Sequence, residues 1–170
     1  MVILIAGATH TGKTVFAQRI LTKYHFSYLS IDHLKMGLIR SGNCSLTPES
    51  SDDELTSYLW PIVAEIVKTV IENNQNLVVE GCYIPFDYNK WFDENYLVKI
   101  QYRCLVLSEK YINNHFETIL QHANAIETRN LEVPTKQQLI EENNNNLQEC
   151  IEQRLVYILV DDEYEMDFVI

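Results

Sequence analysis

Residues 1–14 read MVILIAGATHTGKT and pass from an apolar run into a loop that holds two glycines. Continuous apolar runs such as residues 1–6 are typical of strands buried on both faces of a parallel sheet. Beyond the loop, apolar residues recur at helical spacing, at Phe16, Ala17, Ile20, Leu21 and Tyr24. The sequence therefore predicts a buried strand, a loop and an amphipathic helix in immediate succession.

The loop between these two elements, GATHTGKT at residues 7–14, matches the pattern GxxxxGK[ST]. Gly7 and Gly12 permit backbone angles that let successive amides point inward and, with the helix N-terminus, cradle phosphate oxygens. We expect Lys13 to neutralise the β and γ phosphates of a nucleotide and the Thr14 hydroxyl to occupy one Mg²⁺ position. The alternative is a chance glycine turn, against which the flanking strand and helix argue. His10, in the variable middle of the loop, is expected to face solvent.

The nucleotide-binding residues that this motif predicts are Gly7, Ala8, Thr9, His10, Thr11, Gly12, Lys13, Thr14 and Val15.

Length and composition favour one domain with a full core. The chain has 170 residues, of which 46% are hydrophobic, and domains typically contain about 100 to 200 residues. The net charge of -11, from 13 Lys and Arg against 24 Asp and Glu, argues against a general nucleic-acid binder. The apolar run at residues 1–8 is far shorter than the roughly 20 residues that span a bilayer. We expect a single domain over residues 1–170, with neither nucleic acid nor membrane as a partner.

The cysteines indicate neither a disulfide framework nor a metal site. They form no CxxC pair, and no histidine pair stands at ligand spacing. Reduced thiols, together with an N-terminus that lacks a basic targeting region, favour a cytoplasmic protein. The four cysteines are Cys44, Cys82, Cys104 and Cys150.

The rest of the chain alternates between apolar runs and amphipathic stretches. Further strands are predicted at residues 26–31, 77–80, 98–107 and 155–160, and helices at residues 32–40, 51–73, 109–121 and 136–154. Ser51 and Thr135 begin capping boxes, and Pro61 is expected to kink or restart its helix. Residues 122–135 lose periodicity and are interpreted as a loop or lid. The alternation predicts an α/β domain with a mostly parallel sheet.

Three segments resemble the adenylate-kinase-like branch of small P-loop kinases. They are GATHTGKT, SIDHLKMGLIR at residues 30–40 and VVEGCYIP at residues 78–85. The last two are similar to the Asp-bearing second strand and the EG-type third strand of zeta toxins and of 2-phosphoglycerate kinases, and the NKxD pattern of GTPases is missing. The resemblance implies a three-layer α/β/α P-loop fold with a five-stranded parallel sheet in the order 2-3-1-4-5. It also implies ATP and Mg²⁺ as cofactors.

Two carboxylates follow predicted strands at the sheet edge where α/β folds collect ligands. Asp32 is expected to accept the proton of an acceptor hydroxyl or to hold a Mg²⁺ water, with helix capping as its structural alternative. Glu80, before the turn at Gly81, is expected to order Mg²⁺ through water or to bind acceptor hydroxyls. By the resemblance, Arg40 grips an anionic group on the acceptor. A solvated surface arginine is the alternative for Arg40.

In the adenylate-kinase-like branch, which this chain resembles, a mobile lid supplies an arginine that closes over the γ phosphate. Arg129 is the only Lys or Arg between Lys110 and Lys136, so it is our lid candidate. Arg154 is a weaker second candidate, because a cation at the end of a helix needs no other role. The resemblance also places the loop at residues 161–164 near adenine.

These features predict a kinase that moves the γ-phosphoryl group of ATP to a small hydroxyl or phosphate acceptor, with Lys13, Asp32 and Arg129 acting together. Two alternatives stay open. One is a regulatory module that binds ATP and changes shape without an acceptor. The other is a zeta-toxin-like kinase that acts on nucleotide sugars.

Overall fold

Five parallel strands form the central sheet of the chain, whose computed structural model describes residues 1–122 and 133–164. The strands are β1 (Val2–Gly7), β2 (Ser27–Ser30), β3 (Leu77–Glu80), β4 (Ile100–Leu107) and β5 (Tyr157–Val160). Their order is β2-β3-β1-β4-β5, and every neighbouring pair is parallel. The predicted strand order and the predicted three-layer α/β/α fold are therefore confirmed.

Helices connect the strands and cover both faces of the sheet. They are α1 (Lys13–Tyr24), α2 (Ile31–Arg40), α3 (Asp52–Glu72), α4 (Glu94–Leu97), α5 (Glu109–Gln121) and α6 (Lys136–Glu152), with a 3-10 turn at Tyr88–Trp91. The 3-10 turn and α4 were not predicted, since four residues are too few for a helical period to show in the sequence. Among the described helices, none is both long and apolar enough to cross a membrane.

The continuous apolar run of β1 is explained by two cores, one on each face of the sheet. Val2 and Leu4 pack into the core that α3 covers, whereas Ile3 and Ile5 pack into the core that α1 and α5 cover. All four side chains are fully buried. A strand with a core on both faces has no polar side to present, so its sequence shows no alternation.

Helix α3 runs unbroken through Pro61, so the expected restart at this proline is wrong. Proline removes the hydrogen bond to the carbonyl four residues earlier, which here belongs to the exposed Ser57 and can bond to water. The capping box of Ser51 with Glu54 at the start of α3 is confirmed. The second capping box, between Thr135 and Gln138 at the start of α6, is confirmed as well.

The asparagine run at residues 143–146 includes one residue that is not solvated. Asn143 is completely buried. Its Oδ1 accepts from the backbone N–H of Leu107 at 2.8 Å, and its Nδ2 donates to the carbonyl of Leu139 at 2.8 Å. Asn143 therefore fastens α6 to the carboxyl end of β4.

The sheet has one edge at which all five strands end, because all of them run in the same direction. Gly7, Ser30, Glu80, Leu107 and Val160 are the last residues of the five strands. Parallel α/β sheets bind their ligands at this edge. The predicted lid falls mostly on residues 123–132, which lie outside the described residues, and so does its candidate Arg129.

Candidate active site

The motif GATHTGKT connects β1 to α1 as predicted. Gly7 ends β1, residues 8–12 form the loop, and Lys13, Thr14 and Val15 form the first turn of α1. The φ angles of Gly7, His10 and Gly12 are positive, at 141°, 60° and 81°. His10, expected to face solvent, is half-buried, with its Nδ1 2.8 Å from the Thr9 hydroxyl.

Two side chains of the loop converge on the carbonyl of Ala8. The Thr11 hydroxyl donates to this oxygen at 2.9 Å, and the Lys13 ammonium donates to it at 2.6 Å. Lys13 is only 3% exposed, so a buried cation lies at the N-terminus of α1. An anionic oxygen is a stronger acceptor for an ammonium group than a peptide carbonyl is. The loop therefore offers a cation that can exchange its internal partner for a phosphate.

Tyr164, just after β5, lies against the other side of the loop. Its hydroxyl donates to the carbonyl of Thr11 at 2.9 Å, and a Cβ atom on Gly12 would overlap that hydroxyl. Gly12 therefore serves two purposes, since it adopts a positive φ and leaves room for Tyr164. This contact places the segment at residues 161–164 beside the phosphate-binding loop.

We expect Gly12→Ala to lower the free energy of unfolding by about 2–3 kcal/mol, because it adds left-handed strain and displaces Tyr164 from Thr11. Gly42→Ala is the matched control, since Gly42 also has a positive φ of 73° but no atom within 4 Å of an added Cβ. That control is expected to cost only the strain, about 1–2 kcal/mol. Urea unfolding of both variants measures the difference, and equal losses would show that Tyr164 does not constrain the loop.

Glu80 is a buried carboxylate at the end of β3, with 1% exposure. The Thr14 hydroxyl lies 3.4 Å from its Oε2, and the Tyr28 hydroxyl donates to its Oε1 at 2.9 Å. Gly81 follows, where an added Cβ would press on Ile31. The structure thus brings together Glu80 and Thr14, which were both predicted site residues. The hydrogen bond from Tyr28 on β2 holds Glu80 in this position.

The residues around Glu80 fit a Mg²⁺ ion. Mg²⁺ prefers oxygen donors and takes few from the protein, with phosphate and water oxygens completing its shell. Here a hydroxyl and a carboxylate lie together, and the buried Ser30 hydroxyl, paired in register with Glu80, has no partner among the described residues. A hydrated cation would supply that partner. Within residues 1–122 and 133–164, no group of three or more His, Cys, Asp or Glu side chains could hold a metal ion.

Asp32 lies in the first turn of α2, two residues beyond the end of β2. It is not the N-cap residue, which is Ser30, so capping does not account for it. Its Oδ1 pairs with the ammonium of Lys35 at 2.8 Å, and 29% of its side chain remains exposed. Lys35 also donates to the Tyr83 hydroxyl at 2.8 Å. Asp32 therefore keeps access to solvent at the ligand-binding edge while one oxygen is fixed.

A second carboxylate reaches the loop from α6. The backbone N–H of Thr9 donates to Glu142, and Lys13 and Asp52 lie within electrostatic range. Partial burial and the charge of Asp52 raise the pKa of Glu142, while Lys13 and the hydrogen bond from Thr9 oppose this rise. The mouth of the loop is thus bordered by acidic groups from α3 and α6.

Of the predicted arginines, the two that the structure describes, Arg40 and Arg154, do not lie at this site. Arg40 is exposed at the last residue of α2, about 12 Å along the helix axis from Asp32. Arg154 precedes β5 and therefore lies near the amino ends of the strands, at the opposite end from the site. A further arginine, Arg103 in the middle of β4, for which no role was predicted, donates to the carbonyl of Tyr102 at 2.7 Å. Arg129 lies outside the described residues, so its role stays a prediction.

Sequence reasoning missed the partners that hold the predicted residues. The Asp32–Lys35 spacing is visible in the sequence as an i,i+3 ion pair, but the burial of Lys35 is not. Tyr28 and Tyr83 come from separate segments, and their contacts carry no local signal. The missed residues are Tyr28, Lys35, Tyr83 and Glu142. The resemblance places Tyr164, as part of residues 161–164, near adenine, but its contact with Thr11 was not predicted.

No family model matches the chain, and no curated protein matches it. Solved structures do share its architecture. A gluconokinase from Sinorhizobium meliloti aligns over 95% of this chain and 83% of its own, with a TM-score of 0.53 and 17% identity. A shikimate kinase from Bacteroides thetaiotaomicron aligns over 98% of this chain and 89% of its own, with a TM-score of 0.53 and 14% identity. A deoxyadenosine kinase from M. mycoides aligns over 95% of this chain and 90% of its own, with a TM-score of 0.54 and 12% identity.

The chain has the fold of small P-loop kinases. At such low identity the likeness shows the fold alone, and the substrates of these enzymes remain properties of those enzymes. The structural likeness is to small P-loop kinases in general, and it does not single out the zeta-toxin and 2-phosphoglycerate kinase branch.

Proposed function

We propose that this chain is an ATP-dependent phosphotransferase that moves the γ-phosphoryl group to a small acceptor. One observation supports the proposal: Lys13 and Thr14 follow β1, Asp32 follows β2 and Glu80 ends β3, at the carboxyl ends of three adjacent parallel strands, and Thr14 contacts Glu80. Phosphoryl transfer requires little covalent participation from the protein and depends on positioning and on charge stabilisation. A phosphate-binding loop, oxygen ligands for a cation and a carboxylate for the acceptor supply these needs.

Each residue has a proposed role in that reaction. The loop amides and Lys13 hold the phosphates of ATP, and Lys13 offsets the charge that develops on the transferred group. Asp32 accepts the proton of the acceptor hydroxyl as the new oxygen–phosphorus bond forms. Arg129 is proposed to close over the γ phosphate. Among the known branches of the fold we propose the zeta-toxin and 2-phosphoglycerate kinase-like one, on Asp32 after β2 and on Glu80 with Gly81 after β3.

A Mg²⁺ ion would supply positive charge that offsets the charge of the ATP phosphates. Thr14 would hold it directly, and Glu80 would hold it through water. The four cysteines are free thiols, and we propose a cytoplasmic location on that basis.

Substitution of Glu80 tests this metal assignment. We expect Glu80→Gln to raise the Mg²⁺ concentration needed for half-maximal ATP binding by about 10-fold or more, since it removes the negative charge that orders the ion's water shell. Calorimetry measures ATP binding at a fixed ATP concentration and a series of Mg²⁺ concentrations, which gives this midpoint. Tyr28→Phe is the control, because it removes one hydrogen bond and leaves the carboxylate charged. The metal assignment fails if both variants require the same Mg²⁺ concentration as the wild type.

A screen for acceptors tests the proposed function itself. The purified protein with ATP and Mg²⁺ is offered nucleosides, nucleotides, sugar acids, phosphoglycerates and nucleotide sugars, and ADP formation is followed. We expect at least one acceptor class to stimulate ADP release. ATP binding without stimulation by any acceptor would instead favour the regulatory module.

A further inference from the structure

Lys35 is a buried charged residue that the proposed reaction does not yet use. It is 6% exposed, although lysine is rarely buried unless it is paired. Its ammonium donates to the Asp32 carboxylate and to the Tyr83 hydroxyl, each at 2.8 Å, and lies 4.9 Å from the centre of the Tyr83 ring. Within residues 1–122 and 133–164, this ammonium therefore contacts only Asp32 and Tyr83, both near the carboxyl ends of the strands.

The cation is stable in this position because of those two partners. Burial by itself would lower the pKa of Lys35, but the hydrogen bonds to Asp32 and Tyr83 outweigh it and leave the pKa raised. Burial in turn raises the pKa of the Tyr83 phenol, so this side chain stays a neutral hydroxyl. The cluster is thus an ammonium, a carboxylate and a phenol with no net charge.

The same contacts join two strand ends. Asp32 and Lys35 belong to α2, which follows β2, whereas Tyr83 follows β3 and is itself 6% exposed. Removing one member of a buried charged group leaves the others unpaired and free to reorient. The position of the Asp32 carboxylate is therefore set by Lys35, which is in turn held by Tyr83.

We propose that Lys35 is a positioning residue that acts through Asp32, and that the acceptor group bound beside this cluster is an uncharged hydroxyl. The charge of Lys35 is already balanced by Asp32, so the cluster offers no net positive charge for a phosphate or carboxylate of the acceptor. The Tyr83 hydroxyl, which accepts from Lys35, keeps its own proton to donate. This inference rests on the proposed phosphotransferase function.

The test compares Lys35→Met with Lys35→Arg, using whichever acceptor stimulates turnover. We expect Lys35→Met to lower kcat for acceptor phosphorylation by about 100-fold, as misplacement of a reacting group does, with the KM for ATP unchanged. Lys35→Arg, which keeps the charge and the hydrogen-bond donors, is expected to retain most of the wild-type kcat. Lys90→Met is the matched control, because Lys90 forms an i,i+3 pair with Asp87 that is exposed.

A double-mutant cycle separates positioning from a merely structural role. If Lys35 acts through Asp32, Lys35→Met lowers kcat no further in the Asp32→Asn background. Additive losses, or an unchanged kcat in Lys35→Met, would overturn the inference while leaving an active kinase. Should Lys35→Met not fold, Tyr83→Phe serves, because it removes the hydroxyl that holds Lys35. We expect it to lower kcat by about 10-fold and to raise the KM for the acceptor, with the KM for ATP unchanged; an unchanged kcat would overturn the inference. A wild-type protein without acceptor-dependent turnover would instead overturn the proposed function.

Discussion

Replacing Lys13 with alanine is expected to lower kcat/KM for acceptor phosphorylation by about 1,000-fold or more, as the loss of a cation from the transferred group does in related chemistry. Lys13 is a buried cation at the start of α1, next to the glycine loop, and among the described residues its Nζ has only the carbonyl of Ala8 as an acceptor. Without this ammonium, the charge of the β and γ phosphates would be unbalanced on the protein side. Acceptor-dependent ADP formation measures the loss.

Lys23→Ala is the control for that experiment. Lys23 lies in the last turn of the same helix, on its exposed side, away from the loop. The control should retain wild-type turnover, and thermal unfolding of both variants reports whether either substitution disturbs the fold. A Lys13→Ala protein that keeps a tenth of wild-type activity would remove Lys13 from the proposed reaction.

Asp32→Asn is expected to lower acceptor phosphorylation by about 100- to 10,000-fold, the contribution typical of a general base. The amide keeps the shape of the side chain but cannot take up the hydroxyl proton. ATP binding should remain within a few fold of wild type, since Asp32 lies in α2 and the loop residues are untouched. Steady-state kinetics and ATP titration together separate the two effects.

Asp87→Asn provides the matched control for Asp32→Asn. Asp87 forms an i,i+3 pair with Lys90 that resembles the Asp32–Lys35 pair in spacing, but it lies on the surface. Its substitution should leave turnover unchanged. Loss of ATP binding in parallel with turnover in Asp32→Asn would argue for the alternative role, in which Asp32 holds a water of the metal ion.

The fold was predictable because its signals are local. The apolar run of β1, the glycine loop and the helical period of α1 lie within one short stretch. Strand β3 is buried throughout, and β4 is buried along its second half. The strand order came from the resemblance to P-loop kinases and not from the residues alone. Pro61 misled the prediction, because the cost of a proline depends on whether the freed carbonyl reaches water, and this is a property of the tertiary structure.

The candidate site was predictable only in part, because its remaining contacts join distant segments. Lys35 bonds to a residue 48 positions away, and Tyr28 to one 52 positions away. The contact between Tyr164 and Thr11 spans 153 positions. Motifs identified Lys13, Thr14 and Glu80, whereas the side chains that orient or enclose them depend on the packing of the whole sheet edge.

Arg40 shows the limit of transferring a role by resemblance. Its predicted role came only from the resemblance, yet helix α2 places it at an exposed position, about 12 Å along the axis from Asp32. The buried cation next to Asp32 is Lys35 instead, and it is already neutralised. This difference is the reason we expect a hydroxyl, and not an anionic group, beside Asp32.

Transfer of a labelled γ-phosphoryl group tests the central claim most directly. The protein is incubated with γ-labelled ATP, Mg²⁺ and the acceptor panel, and the products are separated and identified by mass. We predict that label appears on one acceptor class in equal amount to the ADP formed, and that Lys13→Ala produces neither. Label that stays in ATP, or that appears only as inorganic phosphate with every acceptor, would contradict the assignment of this chain as a phosphotransferase.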